Sequence, residues 1–372
     1  MAKLFEPIQF GNLSLKNRII IAPMCQYSAN EAGEHSFWHE QQWASYALSG
    51  AGLYIIEATA VQAVGRISFA DLGLWNDLQR AQLKALIDKV KSIAPTPIAI
   101  QLAHAGRKAS TDKPWLGRGQ LSSNHEHGWQ TVSASDLPFN PDDQAPHELS
   151  IEEIKKIIDD FATAAVRSVD AGFDLIEVHA AHGYLLHQFM SPLSNRRTDE
   201  YGGSFENRIR LTLEVFQAIK NAVPDNYPIG VRLSATDWME QEKGWNIDDS
   251  IGLSKALEKL GAVYIHASSG GLHVDQNIQI GPNYQVPFAE AIKKHVDIPV
   301  IAVGLITEPQ QAEDVLQQGK ADAIGLARAI LFNPRWPWHA AAQLKAEVEI
   351  SPQYLRCQPH DVKSLFKPYA DR

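Results

Sequence analysis

Two histidines three positions apart, His179 and His182, are followed two residues later by Tyr184. Paired imidazole N–H groups can grip an oxygen that gains negative charge during a reaction, and a phenol can deliver a proton. The spacing leaves other readings open. Two histidines can be zinc ligands, although such a site needs at least a third protein ligand. They can also be ordinary hydrogen-bonded side chains, and Tyr184 can be an aromatic anchor. Because no carboxylate or third histidine stands at a neighbouring strand end in an obvious way, the oxygen-gripping reading is preferred and no metal is expected. Arg232 stands in the apolar run Ile229-Gly-Val-Arg-Leu-Ser234, where a guanidinium needs an anionic or strongly polar partner. That partner is either a bound ligand or a carboxylate such as Glu177. Gln101, near the end of another apolar run, both donates and accepts, which suits the edge of an amide-like ring. Gly304 allows close backbone approach and Arg328 offers a bidentate fork, a combination suited to phosphate.

These residues need elements to position them. Eight short, nearly continuous apolar runs recur, at 18–24, 53–59, 97–103, 174–180, 229–234, 263–268, 299–304 and 322–328. Such runs are the signature of parallel strands buried on both faces. Helical patterns fall between them. Ser150 with Glu153 forms a capping box before Ile151, Ile154, Ile158, Phe161 and Ala165. Residues 246–260 stop at Gly261. Thr307 is expected to cap a helix through Gln318, with Pro309 in its first turn and Gly319 beyond it. Residues 205–223 form another amphipathic helix. The alternation predicts an α/β fold, a single (β/α)8 TIM barrel spanning 1–372 as one domain. An insertion after strand 3, residues 105–149, is expected as a loop or hairpin over one end. Residues 346–372 form a carboxyl-terminal tail. A doubly wound dinucleotide fold would carry Gly-x-Gly-x-x-Gly after its first strand, where this chain has Ala22-Pro23-Met24-Cys25. Barrel chemistry sits at the strands' carboxyl ends, with phosphate after strands 7 and 8. The end positions are Cys25, Thr59, Gln101, His104, His179, His182, Arg232, Ser268, Gly304 and Arg328.

Composition narrows the partners. Apolar residues make up 45% and charged residues 21%, which excludes an intrinsically disordered chain. The 34 basic against 43 acidic residues give a net charge of −9, unsuited to a nucleic-acid surface. Cys25 and Cys357 lie too far apart for a metal-type spacing, which argues against a disulfide scaffold or an iron–sulfur cluster. The first ten residues lack the apolar core of a signal peptide, and no run is long enough to span a membrane. The expectation is a cytoplasmic protein.

The motifs Leu15-Lys-Asn-Arg-Ile19, Ala22-Pro-Met-Cys-Gln-Tyr27, Glu57-Ala-Thr-Ala60, Gln101-Leu-Ala-His-Ala-Gly-Arg-Lys108, Glu177-Val-His-Ala-Ala-His-Gly-Tyr184 and Ser191-Pro-Leu-Ser-Asn-Arg-Arg-Thr-Asp-Glu-Tyr-Gly-Gly-Ser204 carry a resemblance. Over nearly its whole length the chain resembles the Old Yellow Enzyme family of FMN-dependent ene-reductases, within it the branch of xenobiotic reductases and thermophilic-like enzymes. The resemblance implies that FMN is held by Ala22, Pro23, Met24, Cys25, Ala58, Gln101, Arg232, Gly304, Ala327 and Arg328. It implies that His179 and His182 bind the activating oxygen of the substrate, that Tyr27 lines the substrate side and that Tyr184 donates a proton. The implied reaction is NADPH- or NADH-dependent reduction of activated C=C bonds in enones, maleimides and nitro compounds. Many relatives have Gly-Arg where this chain has Ala327-Arg328, a change that matters only if that backbone needs positive φ. Gln353-Tyr-Leu-Arg356 is similar to a tail motif whose arginine enters a neighbouring active site, implying a homodimer or homotetramer. Three rival readings are a dienoyl-thioester reductase, whose cysteine cluster and further domains are missing here, a metal-dependent barrel lyase or hydrolase, and a flavin-binding protein without turnover.

Overall fold

The computed structural model describes residues 2–117 and 119–369. Each of the eight apolar runs contains one strand of a closed parallel barrel: β1 (Ile19–Ile21), β2 (Leu53–Ala60), β3 (Ile98–Ala103), β4 (Leu175–Ala180), β5 (Ile229–Ser234), β6 (Ile265–Ser268), β7 (Val300–Ala302) and β8 (Ala323–Leu326). Neighbours in sequence are neighbours in space, and β8 closes onto β1 with Ile324 opposite Ile19. The strands are fully buried because helices cover their outer faces. The principal helices are α1 (Phe37–Ala47), α2 (Asp77–Lys91), α3 (Ile151–Ala171), α4 (Phe205–Ala222), α5 (Ile247–Leu260), α6 (Val286–Lys293), α7 (Pro309–Gln317) and α8 (Trp336–Leu344).

Local chemistry sets the helix ends. Ser150 and Glu153 exchange the two bonds of a capping box, and α3 stops at Gly172 with φ +92°. Asn246 accepts from the N–H groups of Asp248 and Asp249 at the start of α5. The expected cap at Thr307 is displaced by one residue. Glu308 caps α7, and Gln311 reaches back to the N–H groups of Thr307 and Glu308 at 3.0 and 3.3 Å. Pro309, fixed at the first helical position, dictates that start.

The barrel interior is layered. Ile20, Leu53, Ile55, Ala99, Leu175, Tyr264, Ile301 and Ala323 pack together with Phe10 and Leu15. The last two belong to an amino-terminal hairpin, Ile8–Phe10 against Leu13–Leu15, which plugs the amino end of the barrel. Gly230 makes room for the Tyr264 ring, since a Cβ there would lie 2.2 Å from it. Above this layer the inward positions become polar.

The 105–149 insertion folds back over the carboxyl end, with Arg107 donating to the Leu272 carbonyl at 2.8 Å and Trp129 Nε1 to Val64 O at 2.9 Å. Its short strands, Val132–Ser133 and His147–Glu148, run parallel. They are therefore no hairpin; the chain between them loops out and returns in the same direction. The tail pairs Val348–Ile350 with Phe366–Pro368, also in parallel; residues 370–372 lie outside the described residues. Among the described residues, no helix is long and apolar enough to cross a membrane.

Candidate active site

The turn after β4 carries the histidine pair and is fixed from several sides. His182 has φ +59°, a left-handed conformation that is uncommon outside glycine. Its N–H donates to Ser234 Oγ at the end of β5 (2.9 Å). Its carbonyl accepts from Lys108 Nζ (2.9 Å), which also donates to Gly271 O (2.6 Å). One residue on, the Gly183 N–H donates to His187 Nδ1 at 3.0 Å, and His187 Nε2 meets the fully buried Asp237 carboxylate at 2.9 Å.

Within this frame His179 Nδ1 accepts from the Ala181 N–H at 3.2 Å, which puts the ring proton on Nε2. That nitrogen lies 3.4 Å from His182 Nδ1, and His182 Nε2 lies 2.7 Å from Ser268 Oγ. Burial above all, reinforced by Arg232, holds both imidazoles well below the ordinary 6.5. Both are neutral at pH 7. The half-buried Tyr184 packs edge-on against His179 with ring centroids 5.0 Å apart.

Below the pair lies a buried polar layer. Strand alternation turns Glu177 and His179 to the same side of β4, and register sets Glu177 opposite Gln101 and His179 opposite Arg232. Glu177 accepts from Gln101 Nε2 (2.8 Å), Tyr264 OH (3.0 Å) and His266 Nδ1 (2.8 Å). Burial pushes this carboxyl upward, but His266, Arg232 and Tyr264 more than reverse it, so it stays ionised. Burial, opposed by the Glu177 charge, leaves His266 below its ordinary value, and the ring donates from Nδ1 to Glu177.

Beside this layer opens a cavity of about 260 Å³, lined by His182, Arg232, Ser268, Gly304, Ala327 and Arg328 among others. Gly304 has φ +118°, and a Cβ there would lie 2.8 Å from the Gln285 backbone nitrogen; only glycine fits. Ala327 sits at φ −119°, so no positive φ demands glycine at this position. Arg232 Nε and Ser269 Oγ are buried without a protein partner. Unsatisfied buried donors beside a glycine turn and an arginine suit a polar, anionic ligand, and a flavin phosphate fits this set.

The loop after β1 forms the other wall. Ala22 extends the β8 ladder, donating to Leu326 O at 2.9 Å. Glu57, adjacent to Ala58 on β2, accepts from the Gln26 N–H at 2.9 Å and faces His39 Nε2 at 3.2 Å. Cys25, Tyr27, Trp129 and Tyr184 then pack against Ile67, Ala105 and Ala109. Ile67 is held by Asp71, whose Oδ2 accepts from the N–H groups of Ile67 (2.7 Å) and Ser68 (3.1 Å). Burial outweighs these bonds and, with Glu57 adding, raises Asp71 to about 7. Arg66 lies between Trp75 and Trp129, 5.3 and 5.2 Å from their ring centres.

The fold thus gathers around one mouth His179, His182, Tyr184, Arg232, Gln101, Gly304, Ala327 and Arg328, with Ala22, Pro23, Met24, Cys25, Tyr27 and Ala58 on the adjoining β1 and β2 segments. Two strand-end candidates do not belong to it. Thr59 donates to Glu57 O. His104 is buried against Gln62, and burial lowers it to about 4. Arg356 is exposed on a tail whose turn flanks Leu48 and residues 92–95, near the amino ends of β2 and β3, away from this chain's own mouth. Sequence reasoning missed Tyr264 and His266 as partners of Glu177, the Glu57–His39 and His187–Asp237 pairs, and Asp71. A signal existed for two of them: Glu57 and Glu177 are charges inside otherwise apolar strands.

The model of the NADH:flavin oxidoreductase / NADH oxidase family matches residues 3–347. The chain is 44% identical to the NADPH dehydrogenase of Bacillus velezensis over 355 residues, covering 95% of this chain and 98% of that one. It is 42% identical to the NADPH dehydrogenase of Bacillus subtilis with the same coverage. Among solved structures it is similar to morphinone reductase, with a TM-score of 0.74 and 28% identity over 98% of this chain and 93% of the other.

Proposed function

The chain belongs to the NADH:flavin oxidoreductase / NADH oxidase family, the Old Yellow Enzyme family, and as an FMN-dependent NADPH dehydrogenase of that family it acts, we propose, on small activated alkenes. The acceptors we assign are enones, maleimides and nitro compounds. FMN, when bound, would supply the redox chemistry between NADPH or NADH and the β carbon of the acceptor. The protein does the rest. Arg232 and Gln101 hold the ring edge, Gly304, Ala327 and Arg328 hold the phosphate, and the 22–25 segment with Ala58 supports the ring. Tyr27 lines the acceptor's side.

The observation that carries this reading is the pair of neutral imidazoles 3.4 Å apart at the mouth. Ser268 Oγ accepts from Gln285 Nε2 at 3.0 Å, and in this reading it gives its own proton to His182 Nε2, 2.7 Å away. His182 then bears its proton on Nδ1. In that tautomer neither of the facing nitrogens, 3.4 Å apart, can accept from the other, and the activating oxygen of an acceptor bound beside them would take both protons. Such preorganised donors stabilise charge that builds there as the β carbon is reduced. Tyr184, edge-on to His179, delivers the proton to the α carbon.

The reading also makes the protein a cytoplasmic, single-domain homodimer or homotetramer. In it Arg356, exposed and remote from its own mouth, closes a neighbour's. Arg356→Ala should then raise KM for enones without loss of FMN. A monomer by sedimentation, or unchanged kinetics, removes this part. The function itself is tested by anaerobic turnover of enones, maleimides and nitro compounds with each nicotinamide. If NADPH bleaches the flavin and no C=C acceptor reoxidises it, the assignment of acceptors is wrong.

A further inference from the structure

We propose that Glu177 is a positioning residue for the flavin: its buried carboxylate turns the Gln101 amide and offsets the Arg232 charge, and thereby sets the reduction potential of bound FMN. The proposal rests on FMN lying against Gln101 and Arg232.

Glu177 is fully buried, as are Tyr264 and His266, and it lies one layer beneath His179 on the same side of β4. A lone carboxylate there would shed its charge. Three donors, Gln101 Nε2, Tyr264 OH and His266 Nδ1, keep it ionised instead. An ionised carboxylate only accepts, so it dictates what each neighbour presents. Gln101 must turn an N–H inward, which commits its carbonyl to the other side, toward the ring edge. His266 must carry its proton on Nδ1.

The charge has a second effect. Arg232 is buried and stands opposite His179 and His266 in the β-ladders, and Glu177 is the first electrostatic support of its charge once burial has acted against it. A guanidinium favours electrons arriving nearby, whereas a carboxylate one layer below opposes them. The pair therefore holds the potential lower than Arg232 alone would. A flavin that must hand its electrons on needs that moderation. A purely structural Glu177 would alter stability and leave the potential where it was.

The experiment is spectroelectrochemical titration of FMN bound to Glu177→Gln, which keeps the shape and removes the charge. The expected result is a higher midpoint potential, with the reduction equilibrium constant up by about tenfold or more, roughly 30 mV for a two-electron couple. Tyr264→Phe, which deletes one donor to the carboxylate and leaves its charge less compensated, should lower the potential by a smaller amount. Arg232→Ala should also lower it. An unchanged or lowered potential in Glu177→Gln overturns the proposal. If that variant does not fold, an unchanged potential in Tyr264→Phe overturns it equally. A parent protein that binds no FMN would instead remove the underlying reading, and its lack of a flavin spectrum makes the two failures distinct.

Discussion

Replacing Asp71 with asparagine should stabilise the protein in alkaline solution and do little in acid. Asp71 is buried, and its Oδ2 accepts from the Ile67 and Ser68 N–H groups, bonds an asparagine carbonyl reproduces. Its other oxygen has no partner. In the fold this carboxyl titrates at about 7, against about 3.9 in an unfolded chain. The unfolded chain therefore releases the proton first. Stability is fully present below about pH 4, falls as pH rises towards 7 and is flat beyond. Three units at 1.36 kcal/mol each make about 4 kcal/mol. The advantage of Asp71→Asn over the parent should grow by roughly 1 kcal/mol between pH 4 and pH 5 and by nearly 4 kcal/mol by pH 8.5. For a chain of this size about 4 kcal/mol corresponds to a melting shift of about 5 °C. The assay is thermal unfolding of both proteins with saturating FMN, followed by circular dichroism across this range. Because Asp71 ties Ile67 into the wall with Cys25, Tyr27 and Tyr184, the parent's KM for an enone should also rise above pH 7 while the variant's stays flat. A variant-to-parent difference that does not change between pH 4 and 8.5 would refute the reasoning.

Three further outcomes follow from the mouth. His179→Ala or His182→Ala should retain FMN and slow reoxidation of the flavin by cyclohexenone about 10²–10³-fold, read by stopped flow; reoxidation at the parental rate excludes the donor role. Tyr184→Phe should slow the same half-reaction by about 10²-fold while reduction by NADPH stays largely intact, and equal rates in both halves would return the tyrosine to an anchor on the rim. Arg328→Ala should weaken FMN binding by roughly tenfold to a hundredfold, the worth of one charge-assisted contact, measured as FMN released on dialysis.

The barrel was legible because its information is local. Every strand announces itself as an apolar run, and Ser150, Gly172, Asn246 and Gly261 terminate helices through bonds spanning a few residues. Thr307 was misjudged because two adjacent residues could each cap, and the proline ring decided between them. The candidate side chains at the mouth were legible for a different reason, since polar residues at the ends of apolar runs stand out by type. The layer beneath them was not. Glu177 meets His266 across 89 positions and Gln101 across 76, and only the register of strands brings them together. The parallel pairing within the insertion was equally hidden, because two-residue strands carry no periodicity.

The seam between β1 and β8 has a consequence for how the molecule is made. Ile19 pairs with Ile324, and the backbone N–H groups of Lys3 and Leu4 bind the Glu313 carboxylate at 2.8 and 2.9 Å. A ribosome adding about 5–20 residues per second delivers β1 roughly 15–60 s before its second neighbour exists. Throughout that interval the nascent sheet has an open edge of isoleucines, the kind of template that recruits other chains. Ring closure is therefore the slow, long-range event of biogenesis, and the last third of the polypeptide protects what the first twenty residues began.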